Sequence, residues 1–145
     1  MEERFETFTV LINRINRNIR KIKNKEMAEY NLRSAHISCL YFLYSSPCVT
    51  ATQLCERCEE DKATISRALE YLEENGYLES NNTKRYKTPL LLTNKGKSVA
   101  KKIAQKIDGV LEQVGQSLTE EERLLFYQNL IKISNQLEEI TNRLS

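Results

Sequence analysis

The chain has 145 residues and a mass of 16.9 kDa, enough for one ordinary domain with a buried core. At 40% hydrophobic and 29% charged residues it is neither a disordered chain nor a membrane-embedded one, and its 4 Gly and 2 Pro favour long helices over a strand-rich sandwich. A net charge of +2, a single His and no Trp exclude a uniformly polybasic protein and leave little material for His-based metal or acid–base chemistry.

The first segment is amphipathic, with no apolar signal-peptide core. No run approaches the roughly 18 apolar residues of a membrane span, so the expected compartment is the cytoplasm, with no membrane partner. In that reducing setting the four cysteines at 39, 48, 55 and 58 are expected as free thiols. Phe5, Phe8, Ile12, Ile15, Ile19 and Ile22 alternate steps of three and four, a heptad seam that predicts a helix packed along another helix.

A second helix is predicted from Ser34 to about Tyr44, with Ile37, Leu40, Tyr41 and Tyr44 on its apolar side and Pro47 as its stop. Thr50 and Gln53 form a capping box that opens a short third helix. The fourth covers roughly Lys62 to Asn75. Ile65, Ala68, Leu69 and Leu72 are its buried stripe, and Gly76 is the left-handed residue that ends it. Tyr77–Glu79 and Lys87–Leu92 then read as two short strands around a polar turn, with Pro89 suited to an edge. Thr93 or Asn94 caps a long helix carrying Val99, Ile103, Ile107, Val110 and Val114. Thr119 and Glu122 open the last helix, where Leu130, Ile133, Leu137, Ile140 and Leu144 again step by three and four.

Charge is unevenly spread over these elements. Residues 1–33 carry +3, 34–60 carry −2, 61–106 carry +5 and 107–145 carry −4. The basic centre coincides with a short helix, a tight acidic turn, a helix with a polar outer face and a hairpin. The predicted fold class is therefore mainly α with a small β-hairpin wing, a winged helix-turn-helix. A helix of this kind fits a DNA major groove, and Thr64, Ser66 and Arg67 are of the type that reaches base edges or phosphates. Lys84, Arg85 and Lys87 offer cations on the hairpin for the flanking backbone or minor groove. Thr50 is counted with the DNA-facing set.

The run Asp61-Lys62-Ala63-Thr64-Ile65-Ser66-Arg67-Ala68-Leu69-Glu70-Tyr71-Leu72-Glu73-Glu74-Asn75-Gly76-Tyr77-Leu78-Glu79 resembles the recognition-helix signature of MarR-family transcriptional regulators, and Leu92-Thr93-Asn94-Lys95-Gly96 resembles that family's motif after the wing. The resemblance implies a single domain over residues 1–145. Residues 34–96 would form the winged DNA-binding lobe, and 1–33 with 97–145 the N- and C-terminal dimerisation helices. It further implies an obligate homodimer, a double-stranded DNA operator as partner, and Lys62, Thr64, Ser66 and Arg67 facing DNA. The wing departs from the family pattern: Ser80-Asn81-Asn82-Thr83-Lys84-Arg85-Tyr86 has no Asp to brace Arg85 and reads as a shorter loop. Many relatives bind small aromatic or anionic effectors in a cleft, which here implicates Tyr30, His36, Tyr41 and Tyr44.

Cys55 and Cys58 lack the second ligand pair that a zinc site needs, so no metal or cofactor is expected. Cys48, Cys55 and Cys58 are read as incidental thiols first and as oxidant sensors second. No catalytic arrangement surrounds the lone His36, and enzymatic activity is not expected. The function so read is a sequence-specific repressor on a pseudo-palindromic operator, relieved by a small-molecule or oxidant signal. The alternative is a winged-helix protein–protein module without DNA binding.

Overall fold

The computed structural model describes residues 3–46, 49–58, 60–80 and 87–145. Six helices follow in chain order: α1 (Phe5–Glu26), α2 (Ser34–Ser45), α3 (Ala51–Cys58), α4 (Lys62–Glu74), α5 (Asn94–Gly115) and α6 (Glu120–Leu144), with a 3₁₀ turn at Ala28–Tyr30 after α1. The chain divides into two compact units, Met1–Ile107 and Asp108–Ser145, and α5 runs from the first into the second.

The first unit is built on α2, α3 and α4. Ile37, Cys39, Leu40, Leu54, Ile65, Leu69, Leu72 and Ile103 are almost wholly withdrawn from water and form the centre of its core. Fully burying a Leu or Ile side chain stabilises by roughly 1.5–3 kcal/mol, so this group dominates the lobe's stability. The corner between α1 and α2 is closed by Met27, which is 1% exposed, and by the Asn24 side chain, whose Oδ1 accepts the Ser34 N–H at 2.8 Å. One otherwise unpaired donor at the start of α2 is thereby satisfied. Asn31 carries the chain round the corner in the left-handed region, at φ 57°. Lys106 of α5 reaches the end of α1, donating to the Glu26 carbonyl at 3.2 Å and pairing with the Glu29 carboxylate at 3.6 Å.

Helix ends follow their local chemistry. Gln53 Oε1 accepts from Thr50 N at 2.9 Å and Thr50 Oγ1 accepts from Gln53 N at 3.3 Å, the reciprocal box expected for α3. Asp61 caps α4 by accepting the Thr64 N–H at 2.6 Å. The far end of α4 is a Schellman turn. Tyr77 N donates to the Leu72 carbonyl at 2.8 Å, Gly76 N to the Glu73 carbonyl at 3.1 Å, and Gly76 has φ +79°.

The two strands expected around the polar turn do not form among the described residues. Among the described residues there is no strand, only one antiparallel bridge between Leu78 and Leu92, with Glu79 N donating to Leu91 O and Thr93 N to Tyr77 O. Pro89 has no N–H to give a ladder, and Leu90 N donates instead to the Val49 carbonyl at 2.9 Å, ahead of α3. Residues 81–86 lie outside the described residues.

In the second unit, the Thr119–Glu122 capping box forms in both directions, at 2.8 and 3.1 Å. Arg123 folds back to donate to the Gly115 carbonyl at 3.4 Å. No residue of α6 is buried, and its apolar positions face water, Leu124 at 62% exposure among them. The seam of α1 is similarly uncovered, with Phe5 at 81% and Ile15 at 51%.

Candidate nucleic-acid interface

Helix α4 sorts its residues by face. Ile65, Ala68, Leu69 and Leu72 point into the core, while Lys62 and Arg67 are exposed and Thr64 and Ser66 half-buried. Ridge-forming apolar side chains at spacings of three and four leave the polar ones no choice but the outer face. Arg67 Nη2 donates to Thr64 Oγ1 at 3.4 Å, so two of the expected DNA-facing groups already touch. The Thr64 N–H, and Arg67 at longer range, hold the exposed Asp61 carboxyl below the usual carboxylate range, with the Thr64 backbone bond the larger cause. Asp61 is thus charged at neutral pH and fixed as a cap at the mouth of the same helix.

Of the remaining expected contacts, Lys87 is exposed on the segment leading to Leu90. Lys84 and Arg85 lie outside the described residues. Thr50 is half-buried, and its hydroxyl oxygen is engaged as the α3 cap.

The five-residue motif Leu92–Gly96 acts as a clasp between the end of α4 and the start of α5. Thr93 Oγ1 donates to the Gly76 carbonyl and accepts the Gly96 N–H at 3.0 Å, which makes Thr93 the cap of α5. Lys95 Nζ donates to the Asn75 carbonyl at 2.7 Å and stands 4.4 Å from the Tyr77 ring centroid. Gly96 is buried there, and a side chain in its place would overlap the Tyr77 carbonyl. Sequence reasoning named this motif without seeing that it ties two helices together.

The aromatic set divides. His36 stacks on Tyr71 of α4 with ring centroids 4.4 Å apart, and its Nδ1 accepts the Arg33 N–H at 3.0 Å, capping α2. Burial, and then the Arg33 charge, hold its pKa below the ordinary histidine value. Tyr71 in turn donates to the Asn31 carbonyl at 3.0 Å. Tyr41 meets Phe42 edge-on, Tyr30 packs against the core and Tyr44 is exposed. Tyr71, which sequence reasoning left out, is therefore the ring that His36 engages.

Cys39 is buried in α2, and Cys58 is half-buried at the end of α3. Cys55 is half-buried, and Cys48 lies outside the described residues. Among the described residues no group of three His, Cys, Asp or Glu side chains is placed to hold a metal ion, and no helix is long and apolar enough to cross a membrane.

A short helix, a turn and a helix with a cationic, hydroxyl-bearing outer face define the class of helix-turn-helix proteins. Residues 30–85 match the model of the MarR family, whose members are transcription regulators and not enzymes. A MarR family regulator from Neisseria meningitidis is 18% identical and superposes with a TM-score of 0.82 over 99% of this chain and 100% of that one. A MarR protein from Peptoclostridium difficile is 19% identical, with a TM-score of 0.83 over 100% of this chain and 96% of that one. MepR of Staphylococcus aureus in complex with DNA is 17% identical, with a TM-score of 0.78 over 94% and 99%. These likenesses carry the fold. A comparison with curated protein sequences found no match.

Proposed function

We propose that the chain is a cytoplasmic homodimeric repressor that places α4 of each subunit in successive major grooves of a pseudo-palindromic operator, and that a signal relieves the repression. The observation that carries this reading is the outer face of α4, where Lys62, Thr64, Ser66 and Arg67 open a segment, residues 61–106, of net charge +5. The MepR structure in complex with DNA supports it by fold. In this reading Arg67 reads a base edge, Lys62 and Lys87 neutralise phosphates, and Thr64, Ser66 and Thr50 set the register. Lys84 and Arg85 extend the cationic strip from the wing.

Dimerisation uses the uncovered apolar seams of α1 and α6, on which Phe5, Ile15, Leu130 and Ile133 are exposed in the single chain. A stretch of this size left in water marks an interaction surface. The domain is accordingly read as a lobe at 34–96 with dimerisation helices at 1–33 and 97–145. Small aromatic or anionic effectors are assigned to the neighbourhood of Tyr30, His36, Tyr41 and Tyr44.

Selection of bound duplex from a random pool, followed by gel-shift titration of Arg67→Ala, tests the reading. Losing one bidentate Arg–guanine contact costs about 1–3 kcal/mol, roughly 5- to 150-fold in affinity, while gel filtration should show the same oligomer. Unchanged affinity in the variant overturns the role of Arg67. A wild-type affinity for duplex without salt dependence overturns the DNA-binding geometry, since phosphate neutralisation releases counterions.

A further inference from the structure

Helix α1 has a second face that its apolar seam leaves unused. Between Glu6 and Glu26 it carries no acidic side chain and six cations, Arg14, Arg17, Arg20, Lys21, Lys23 and Lys25. The seam from Phe5 to Ile22 holds one side of the helix. Arg14, Arg17, Lys21 and Lys25, at steps of three, four and four, line up away from it. All four are exposed, and among the described residues no carboxylate pairs with any of them. Like charges at these spacings repel one another, and an anion lying along the row relieves that repulsion.

The other two cations show where this face stands. Arg20 Nη2 pairs with Glu60 Oε1 at 3.3 Å, and Lys23 Nζ donates to Ser38 Oγ of α2 at 3.0 Å. Glu60 immediately precedes Asp61, the cap of α4, and Lys62, the exposed first residue of that helix. Arg20 is therefore fixed beside the entrance to α4. Arg17 and Arg14 follow it toward the α1 N-terminus, roughly 4.5 and 9 Å farther along the helix axis. The pairing also cancels the charge of Glu60, which would otherwise repel an anion at this corner.

We propose that the outer face of α1 is a second phosphate-contacting surface, on which Arg14 and Arg17 neutralise the sugar–phosphate backbone beside the α4 N-terminus. This rests on the DNA-binding reading given above and adds an element to it, since α1 there serves the dimer seam alone. A recognition helix enters the major groove with its N-terminal residues at the base edges. The groove is about 12 Å wide, so a backbone strand passes close to the turn before α4, where α1 stands. Guanidinium groups suit that strand because they meet phosphate with paired N–H donors. A helix outside the groove touches phosphate and not base edges, so the contact adds affinity without sequence preference. Lys21 and Lys25 continue the row beyond Arg20.

Fluorescence anisotropy of the full chain with the selected duplex and with a random duplex, over a salt series, tests this. Log affinity falls with log salt by about 0.9 per neutralised phosphate. Arg14→Gln with Arg17→Gln removes two contacts per subunit, four in the proposed dimer, so the slope should flatten by about 3 to 4. Affinity for the two duplexes should fall by the same factor, whereas Arg67→Ala lowers the preference for the selected sequence. Arg14→Lys with Arg17→Lys should keep the wild-type slope, because both charges remain. Gel filtration and thermal melts should match wild type, as neither position is buried. If the double glutamine variant melts early, Arg17→Gln alone decides, with half the change in slope. An unchanged slope in the glutamine variants overturns the inference and leaves the role of α4 standing. A loss confined to the selected duplex also overturns it, because phosphate contacts cannot produce one. Wild type that binds neither duplex overturns the DNA-binding reading and this inference with it. An unchanged slope together with glutamine-sensitive binding to phosphatidylserine vesicles assigns the row to an anionic lipid surface instead.

Discussion

Replacing Gly96 by alanine should break the clasp between α4 and α5, and the outcome can be worked out from the geometry. A Cβ there would overlap the Tyr77 carbonyl oxygen and stand 3.0 Å from the carbonyl carbon and 3.3 Å from Leu92 Cδ2. The obstacle is backbone, which cannot swing aside as a long side chain can. The same Tyr77 carbonyl accepts the Thr93 N–H at 3.1 Å, so moving it strains the cap of α5 as well. Forcing a methyl into a filled site costs about 1–3 kcal/mol, and a loosened hydrogen bond about 1 more. The better helix propensity of alanine returns about 1 kcal/mol, leaving a net loss of about 1–3 kcal/mol. Gly109 is the internal control. It also lies in α5, and nothing stands within 4 Å of its Cβ position, so Gly109→Ala should stabilise by up to about 1 kcal/mol. Urea unfolding of the three proteins at one fixed concentration reads both values. A Gly96→Ala protein as stable as wild type refutes the close-approach argument.

Two further outcomes follow from the corner between α1, α2 and α4. His36 is held below its ordinary pKa of 6.5, so its stabilising contribution is complete above that pH and is lost as pH falls through the lowered folded value. The melting temperature of wild type should therefore drop between about pH 7 and pH 5 more steeply than that of His36→Gln, and parallel slopes would remove His36 as the cause. Asn31, at φ 57°, should accept glycine with little change but lose about 1–2 kcal/mol on replacement by valine, which denaturant titration will show; equal stabilities would contradict the left-handed geometry.

What could be read from the sequence was what neighbours in the chain decide. Thr50 with Gln53, Thr119 with Glu122, and Gly76 after α4 each act within one helical turn, and all three form as expected. The buried stripe of α4 was equally legible, because four apolar residues at helical spacing admit one inward face. The strands of the wing are not confirmed among the described residues, since an extended pattern says nothing about whether Pro89 and Leu90 find a partner, and Leu90 found Val49. Long-range meetings left no local trace. Lys23 on Ser38 and His36 against Tyr71 each join two helices, and only the packing of those helices brings them together. Asp61 illustrates an intermediate case. Its place before α4 is visible in the sequence as an acidic turn, but its role as the cap appears only with the 2.6 Å bond to Thr64 N.

The clasp also limits how α4 can move. Gly76, Tyr77, Thr93, Lys95 and Gly96 link the end of α4 to the first turn of α5 through backbone and side-chain bonds on both sides of the junction. That corner has no hinge, so the two helix ends form a single lever arm. A pivot for α4 alone is available at its other end, where Asp61 is the fastening and α3 finishes. A displacement of α4 therefore has two mechanical routes: turning with the first turn of α5 as one piece, or working at the α3–α4 joint.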